Sequence, residues 1–126
     1  MPVTYEIDHA QQRIRTRCTG EVTLEEVQRH FTDLSQDPSC PDELDVLLDL
    51  SQMTNVPSSE HIGAVPIELA RVAPRVRFRY CAIIASQEAL FGMARMFGVF
   101  AEEYFLATRV YRTVAEGEGW LDHPIP

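Results

Sequence analysis

The sequence predicts an α/β domain with element order β-β-α-β-α-β-α-β-α. Three observations carry this. "RIRTRCTG" alternates between arginines and smaller or apolar residues, as a half-buried strand does. "LDVLLDL" and "RYCAIIAS" are near-continuous apolar runs of strand length, as interior strands of a parallel sheet are. Thr23–Glu26 and Thr113–Glu116 are Thr-x-x-Glu boxes, which mark helix starts.

The elements follow in order. "VTYEID", Val3 to Asp8, reads as a strand, "HAQQ" as a turn, and "RIRTRCTG" as the returning strand of an antiparallel hairpin. Arg13, Arg15 and Arg17 share one side of that strand; Ile14, Thr16 and Cys18 share the other, and Gly20 closes it. From Thr23, a helix carries Glu25 and Glu26 in its first turn, where the helix dipole favours anions. Its inward stripe is Leu24, Val27, Phe31 and Leu34, and the prolines of "SQDPSCPDE" end it. "LDVLLDL" is the next strand, ending near Asp49. The stretch "LLDLSQMTNVPSSE" is its carboxyl end and the turn after it. A second helix spans roughly Ser59 to Val72, with Pro66 predicting a kink or break. "RYCAIIAS" is followed by a long helix from Gln87 to Glu103, then the strand "FLATRVYR", then a last helix in "TVAEGEGWL" that Gly117 and Gly119 weaken.

Strand–helix alternation after the hairpin implies parallel pairing through right-handed crossovers, hence a mixed, mostly parallel sheet. With sequence neighbours adjacent in the sheet, the helices lie mainly on one face and the other is left open. Both sides of the last two strands carry apolar residues, among them Ile83 and Tyr111. That predicts an apolar face that a second copy could cover as a twofold homodimer. The rival is cover by the chain's own hairpin, with Arg13, Arg15 and Arg17 as a polar rim.

The 126 residues suit one domain, expected over 1–122 with a short tail at 123–126, and a 45% hydrophobic content supplies a core. A net charge of −8 repels phosphate backbones and argues against nucleic acid as a partner. The chain has no lysine, which removes Schiff-base chemistry and the phosphate-loop lysine. No leader pattern and no membrane-spanning apolar run is visible, so a cytoplasmic protein is expected. Cys18, Cys40 and Cys81 are an odd number without ligand spacing and read as reduced thiols, with Cys40 in its loop the one candidate for reactivity.

The element order resembles the STAS superfamily of anti-sigma factor antagonists, and its SpoIIAA-like branch most. Two segments carry the resemblance: "DVLLDLSQMTNVPSSEHI", similar to the strand–turn–helix of the antagonists, and "ALFGMARMFGVF…RVYRTVAEGEGWL", similar to the C-terminal half of SpoIIAA-like proteins. The resemblance implies a non-enzymatic, bacterial, regulatory domain that works by protein–protein interaction. Counted from Asp49, the phosphorylated serine of the antagonists falls on Ser58. Pro57 stands where the antagonists have Asp, and Glu60 where they have Gly.

On the residues alone, Ser58 and Ser59 read either as a helix cap or as a phosphoacceptor at a helix N-terminus. Asp49 and Ser51 lie at the carboxyl end of a central strand, where open α/β sheets place ligands; Asp49 bonding its own turn is the simpler reading. The four histidines form no metal or catalytic pattern. Neither a metal nor a cofactor is expected, nor an enzyme. The helix "ALFGMARMFGVF" is apolar around most of its circumference, through Phe91, Met93, Met96, Phe97 and Phe100. It either packs on two sides or lines a pocket for a small apolar molecule or a groove for a partner. A lipid-binding carrier or sensor is therefore the alternative to an interaction domain. Arg71, Arg75, Arg77 and Arg79 are the one local basic run, expected either to bind an anion or to pair with the chain's carboxylates.

Overall fold

The computed structural model describes residues 2–125. Their elements are β1 (Val3–Asp8), β2 (Arg13–Gly20), α1 (Leu24–Gln36), β3 (Glu43–Met53), α2 (Ser59–Val72), β4 (Arg77–Ile84), α3 (Glu88–Phe100), a 3-10 turn (Glu102–Tyr104), β5 (Ala107–Tyr111) and α4 (Val114–Asp122). The strands form one sheet in the order β1-β2-β3-β4-β5, antiparallel between β1 and β2 and parallel elsewhere. This is the expected α/β architecture with a mixed, mostly parallel sheet.

Sequence-adjacent parallel strands place α1, α2 and α3, each a crossover, on one face. There Ile14, Cys81, Ile83, Leu90 and Ala94 form the main core. The helices thus lie mainly on one face, but the other face is not left open as expected. α4 lies on the opposite face, where Leu121 joins Leu47, Ala82 and Ile84, with Tyr80, Tyr111 and Trp120 around them. The physical reason is connectivity. A crossover has a fixed hand, but α4 follows β5 with no later strand to reach among the described residues, so the rule does not constrain it. The face expected to await a second copy is thus partly filled by this chain. The hairpin arginines hold α4 there. Arg13, 3% exposed, bonds Glu118 at 3.2 Å and Asp122 at 3.1 Å. Arg15 grips both carboxylate oxygens of Glu118 at 3.0 Å and reaches Asp8 at 3.2 Å.

Each of two β-bulges sits beside a buried aspartate. Leu44 pairs with Phe78 and Val46 with Cys81, so Arg79 and Tyr80 together oppose Asp45. The Asp45 carboxylate accepts from the Arg79 guanidinium at 3.2 Å and from the Tyr80 backbone N–H at 3.4 Å. The extra residue lets Phe78 face the helices while Tyr80 faces α4. In β3, Leu50 and Ser51 together oppose Cys18. Asp49 Oδ1 accepts from the Ser51 N–H at 2.9 Å and its hydroxyl at 2.6 Å.

Several boundaries move. β3 continues past Asp49 to Met53, because the bulge absorbs the polar residues and pairing with β2 resumes. α2 is continuous through Pro66. The long helix stops at Phe100, with the 3-10 turn taking residues 102–104. The strand expected over "FLATRVYR" begins only at Ala107: Phe105 precedes it and packs in the main core, whereas Tyr111 lies on the α4 face. Trp120 and Leu121 pack inward, Trp120 against Tyr80 and Tyr111. The tail folds back, the Ile125 carbonyl accepting from Trp120 Nε1 at 3.2 Å; Pro126 lies outside the described residues.

Candidate functional site: an apolar cavity under three helices

β3 is the central strand, flanked on both sides and roofed by helices. Its residues on the α4 face, Asp45, Leu47 and Asp49, are buried. Its residues under the roof, Val46, Leu48 and Leu50, are only half-buried. Interiors pack to crystal-like density, so partial exposure there means a void. The void is a cavity of about 150 Å³ between the sheet and α1, α2 and α3.

The lining derives from the amphipathic stripes. In α1 the stripe faces the sheet as the spacing predicts, but only Leu34 at its far end is fully buried. Leu24, Val27 and Phe31 stay half-buried and line the cavity instead. The helix start is fixed by its capping box. Thr23 accepts from the Glu26 N–H at 3.3 Å and Glu26 accepts from the Thr23 N–H at 3.0 Å. The loops before α1 and after β3 are tied by Asn55, which accepts from the Val22 N–H at 2.9 Å and donates to the Val22 carbonyl at 3.0 Å. Val22 and Met53 beside this clasp line the cavity. The sequence reading passed over Asn55. Its signal was an amide in a turn between a strand and a helix, which fits many roles.

α3 divides by side. Leu90 and Ala94 are buried and, with Met93 and Phe97, line the cavity. Phe91 lies beneath the Arg112 guanidinium, 4.3 Å from its ring centre. Met96 and Phe100 point outward, 38% and 43% exposed. The helix is therefore not enclosed all round; its outer side reaches solvent.

At the opposite end, under α1, the lining turns polar. Thr16 and His30 both face the cavity. Tyr5 pairs with Thr16 across β1 and β2, and its ring meets His30 edge-on at 5.4 Å. Burial holds the His30 imidazole neutral, lowering its pKa to about 4 against a smaller opposing pull from Asp33. The Tyr5 hydroxyl is turned away, donating to Asp37 at 2.6 Å. Burial pushes the Cys18 thiol up to about 12, with Asp49 adding to it, and drives the Cys81 thiol up as well. Both therefore stay protonated and serve as small apolar lining. Cys40 is also buried, and burial raises its thiol too.

The other sequence candidates stand apart from the cavity. Asp49 bonds Ser51 within the bulge and lies 3.8 Å from Arg17, on the α4 face. Ser58 is the N-cap of α2, its hydroxyl accepting from the His61 N–H at 3.2 Å. Ser59 begins the helix; both serines are exposed. Ser58 nevertheless sits between Pro57 and the helix turn of His61, which both line the cavity. The basic run is neutralised pair by pair: Arg71 with Glu68, Arg75 with Asp42 at 3.7 Å, Arg77 with Glu43 at 3.3 Å, Arg79 with Asp45 at 3.2 Å. Among the described residues no helix is long and apolar enough to cross a membrane, and no group of three or more His, Cys, Asp or Glu could hold a metal ion.

No protein-family model and no curated protein matches the chain.

Proposed function

We propose that this chain is a non-enzymatic binding protein for a small apolar molecule, taken up between the sheet and α1, α2 and α3. One observation carries the reading: Val46, Leu48 and Leu50 are incompletely buried on a central strand beneath a helical roof. An apolar cavity of about this volume is known to stay dry and accept benzene. The void would cost stability if left empty, by roughly 24 cal/mol for each Å³, so occupancy is favoured wherever a fitting molecule is present. The protonated thiols in the wall offer no nucleophile, which supports carriage or sensing rather than chemistry.

The test uses toluene as ligand and Val46→Phe as the blocking variant. Toluene should perturb the methyl resonances of Val46, Leu48 and Leu50 and raise the melting temperature. Val46→Phe should fold with unchanged or higher stability and lose toluene binding. A filled core would behave oppositely: no toluene effect, and a loss of about 1–3 kcal/mol from overpacking.

A second reading, recognition of a partner protein or a second copy of the chain in the bacterial cytoplasm, has its own supporting observation. The outer side of α3 and the residue just before β5 expose Met96, Val99, Phe100 and Leu106, the last two 43% and 66% exposed. Large apolar side chains in such number on one side of a helix mark contact surfaces. This is the activity that the SpoIIAA-like resemblance implies. In it, α3 would report cavity occupancy, since its inner side lines the cavity and its outer side meets the partner.

A further inference from the structure

Resting on the cavity reading, we propose that the ligand is an uncharged molecule of single-ring size with one hydrogen-bonding group, such as a phenol, read by Thr16 and His30. The cavity has a chemical polarity along its length. Leu90, Met93, Phe97 and Phe105 wall the α3 end, with no polar side-chain group besides the Met thioether. Thr16 and His30 both line the α1 end, each beside Tyr5. Thr16 is 4% exposed, and its hydroxyl has no hydrogen-bond partner among the described residues. The His30 ring nitrogens have none either among the described residues; the ring's aromatic neighbours are Tyr5 and Phe31, each 5.4 Å away between centroids. Arg13 Nε is the one fully enclosed side-chain polar atom left unpaired among the described residues. The Thr16 hydroxyl and the His30 nitrogens are not sealed off in this way, and both side chains line the cavity.

Polar groups inside proteins are nearly always paired, so an unpaired hydroxyl and an unpaired imidazole in the same apolar wall, each neighbouring Tyr5, call for a partner. A neutral imidazole supplies one donor and one acceptor, and a threonine hydroxyl supplies both. Together they satisfy a hydroxyl that donates to one and accepts from the other. Charge excludes the anionic alternative. No Arg, Asp or Glu lines the cavity, so a carboxylate would enter a low-dielectric site with no counter-ion. At the polar end, burial already opposes forming the His30 imidazolium that a carboxylate would need there. Size excludes long acyl chains from complete enclosure, because about 150 Å³ matches a single ring.

The experiment compares toluene, phenol and benzoate, three ring compounds of similar size, on the full chain and on Thr16→Val and His30→Leu. Binding is followed by the methyl shifts of Val46 and Leu48. Toluene and phenol should both bind the unaltered chain, and benzoate should not. The phenol-to-toluene affinity ratio should fall by about fivefold in each variant, the worth of one net hydrogen bond. Retained toluene binding shows that each variant is folded with its cavity intact. If toluene binds but phenol does not, or the ratio is the same in all three proteins, the polar end reads nothing and this inference fails while the cavity reading stands. Benzoate binding as tightly as phenol would also overturn it. If toluene itself does not bind, both readings fall together.

Discussion

Ser58 shows how far one residue can be read from its neighbours. Sequence placed it at a helix start, and the structure finds its hydroxyl capping α2 through the His61 N–H. Ser58→Ala should therefore lower stability by about 1 kcal/mol, whereas Ser58→Asp, an equally good cap with favourable charge at the dipole, should leave it unchanged. Denaturant midpoints check both. His30 is the contrasting case. Nothing in "QRHFTD" distinguishes it from any solvent-facing histidine, because its environment is made by Tyr5, about two dozen positions earlier in the chain, and by an unfilled space. Its consequence is acid sensitivity. The folded-state value is depressed to about 4, against 6.5 for an unperturbed histidine. Between those values the unfolded chain binds the extra proton, so the stabilisation is complete above pH 6.5 and is lost as pH falls towards 4. The loss is up to about 3 kcal/mol. Unfolding titrations of the chain and of His30→Leu should diverge in that window and run parallel above it; equal slopes throughout would show a solvated ring.

At the scale of elements, spacing told which side of a helix turns inward but not how far the helix stands from the sheet. The stripe Leu24, Val27, Phe31 and Leu34 is correctly oriented along α1, yet only Leu34 is fully buried. Amphipathicity is satisfied equally by a packed core and by a cavity wall, so the void was not legible. The same limit applied to Gly117. Read alone it is a weak helix former. In the structure it is the point where α4 touches the sheet, and an added Cβ would lie 2.5 Å from Ile84 Cδ1 and 3.0 Å from Leu47 Cδ1. Gly119, two positions on, meets nothing within 4 Å. The pair gives a matched prediction. Gly119→Ala should stabilise by about 0.5–1 kcal/mol through helix propensity. Gly117→Ala should destabilise despite the same propensity gain, since it lifts α4 from its seat. Thermal melts of the two variants should shift in opposite directions.

For the molecule as a whole, strand order, the hairpin and the crossovers were legible because each rests on a local pattern joined by a rule of handedness. The position of α4 was not, because no such rule governs a helix after the last strand. Its anchor is written in the sequence only as an alternation: Arg13, Arg15 and Arg17 on one side of β2, a residue type unusual for an interior strand. Two of those arginines turn out to meet Glu118 and Asp122 across the sheet, more than a hundred positions away. Pairing over that distance cannot be read without knowing that the helix returns to the hairpin.

That return has a consequence for how the molecule is made. A ribosome delivers the β2 arginines early and the α4 carboxylates after every strand has emerged. Until then the nascent sheet can assemble with α1, α2 and α3, but Leu47, Ala82 and Ile84 have no cover, and Arg13 has no carboxylate to meet. From the emergence of β4 until α4 arrives, the growing chain thus carries a sticky apolar strip bordered by unpaired positive charge, the condition under which nascent proteins recruit chaperones or clump on the polysome. Arrival of α4 ends that exposure in one step, hiding the strip and cancelling the charge together.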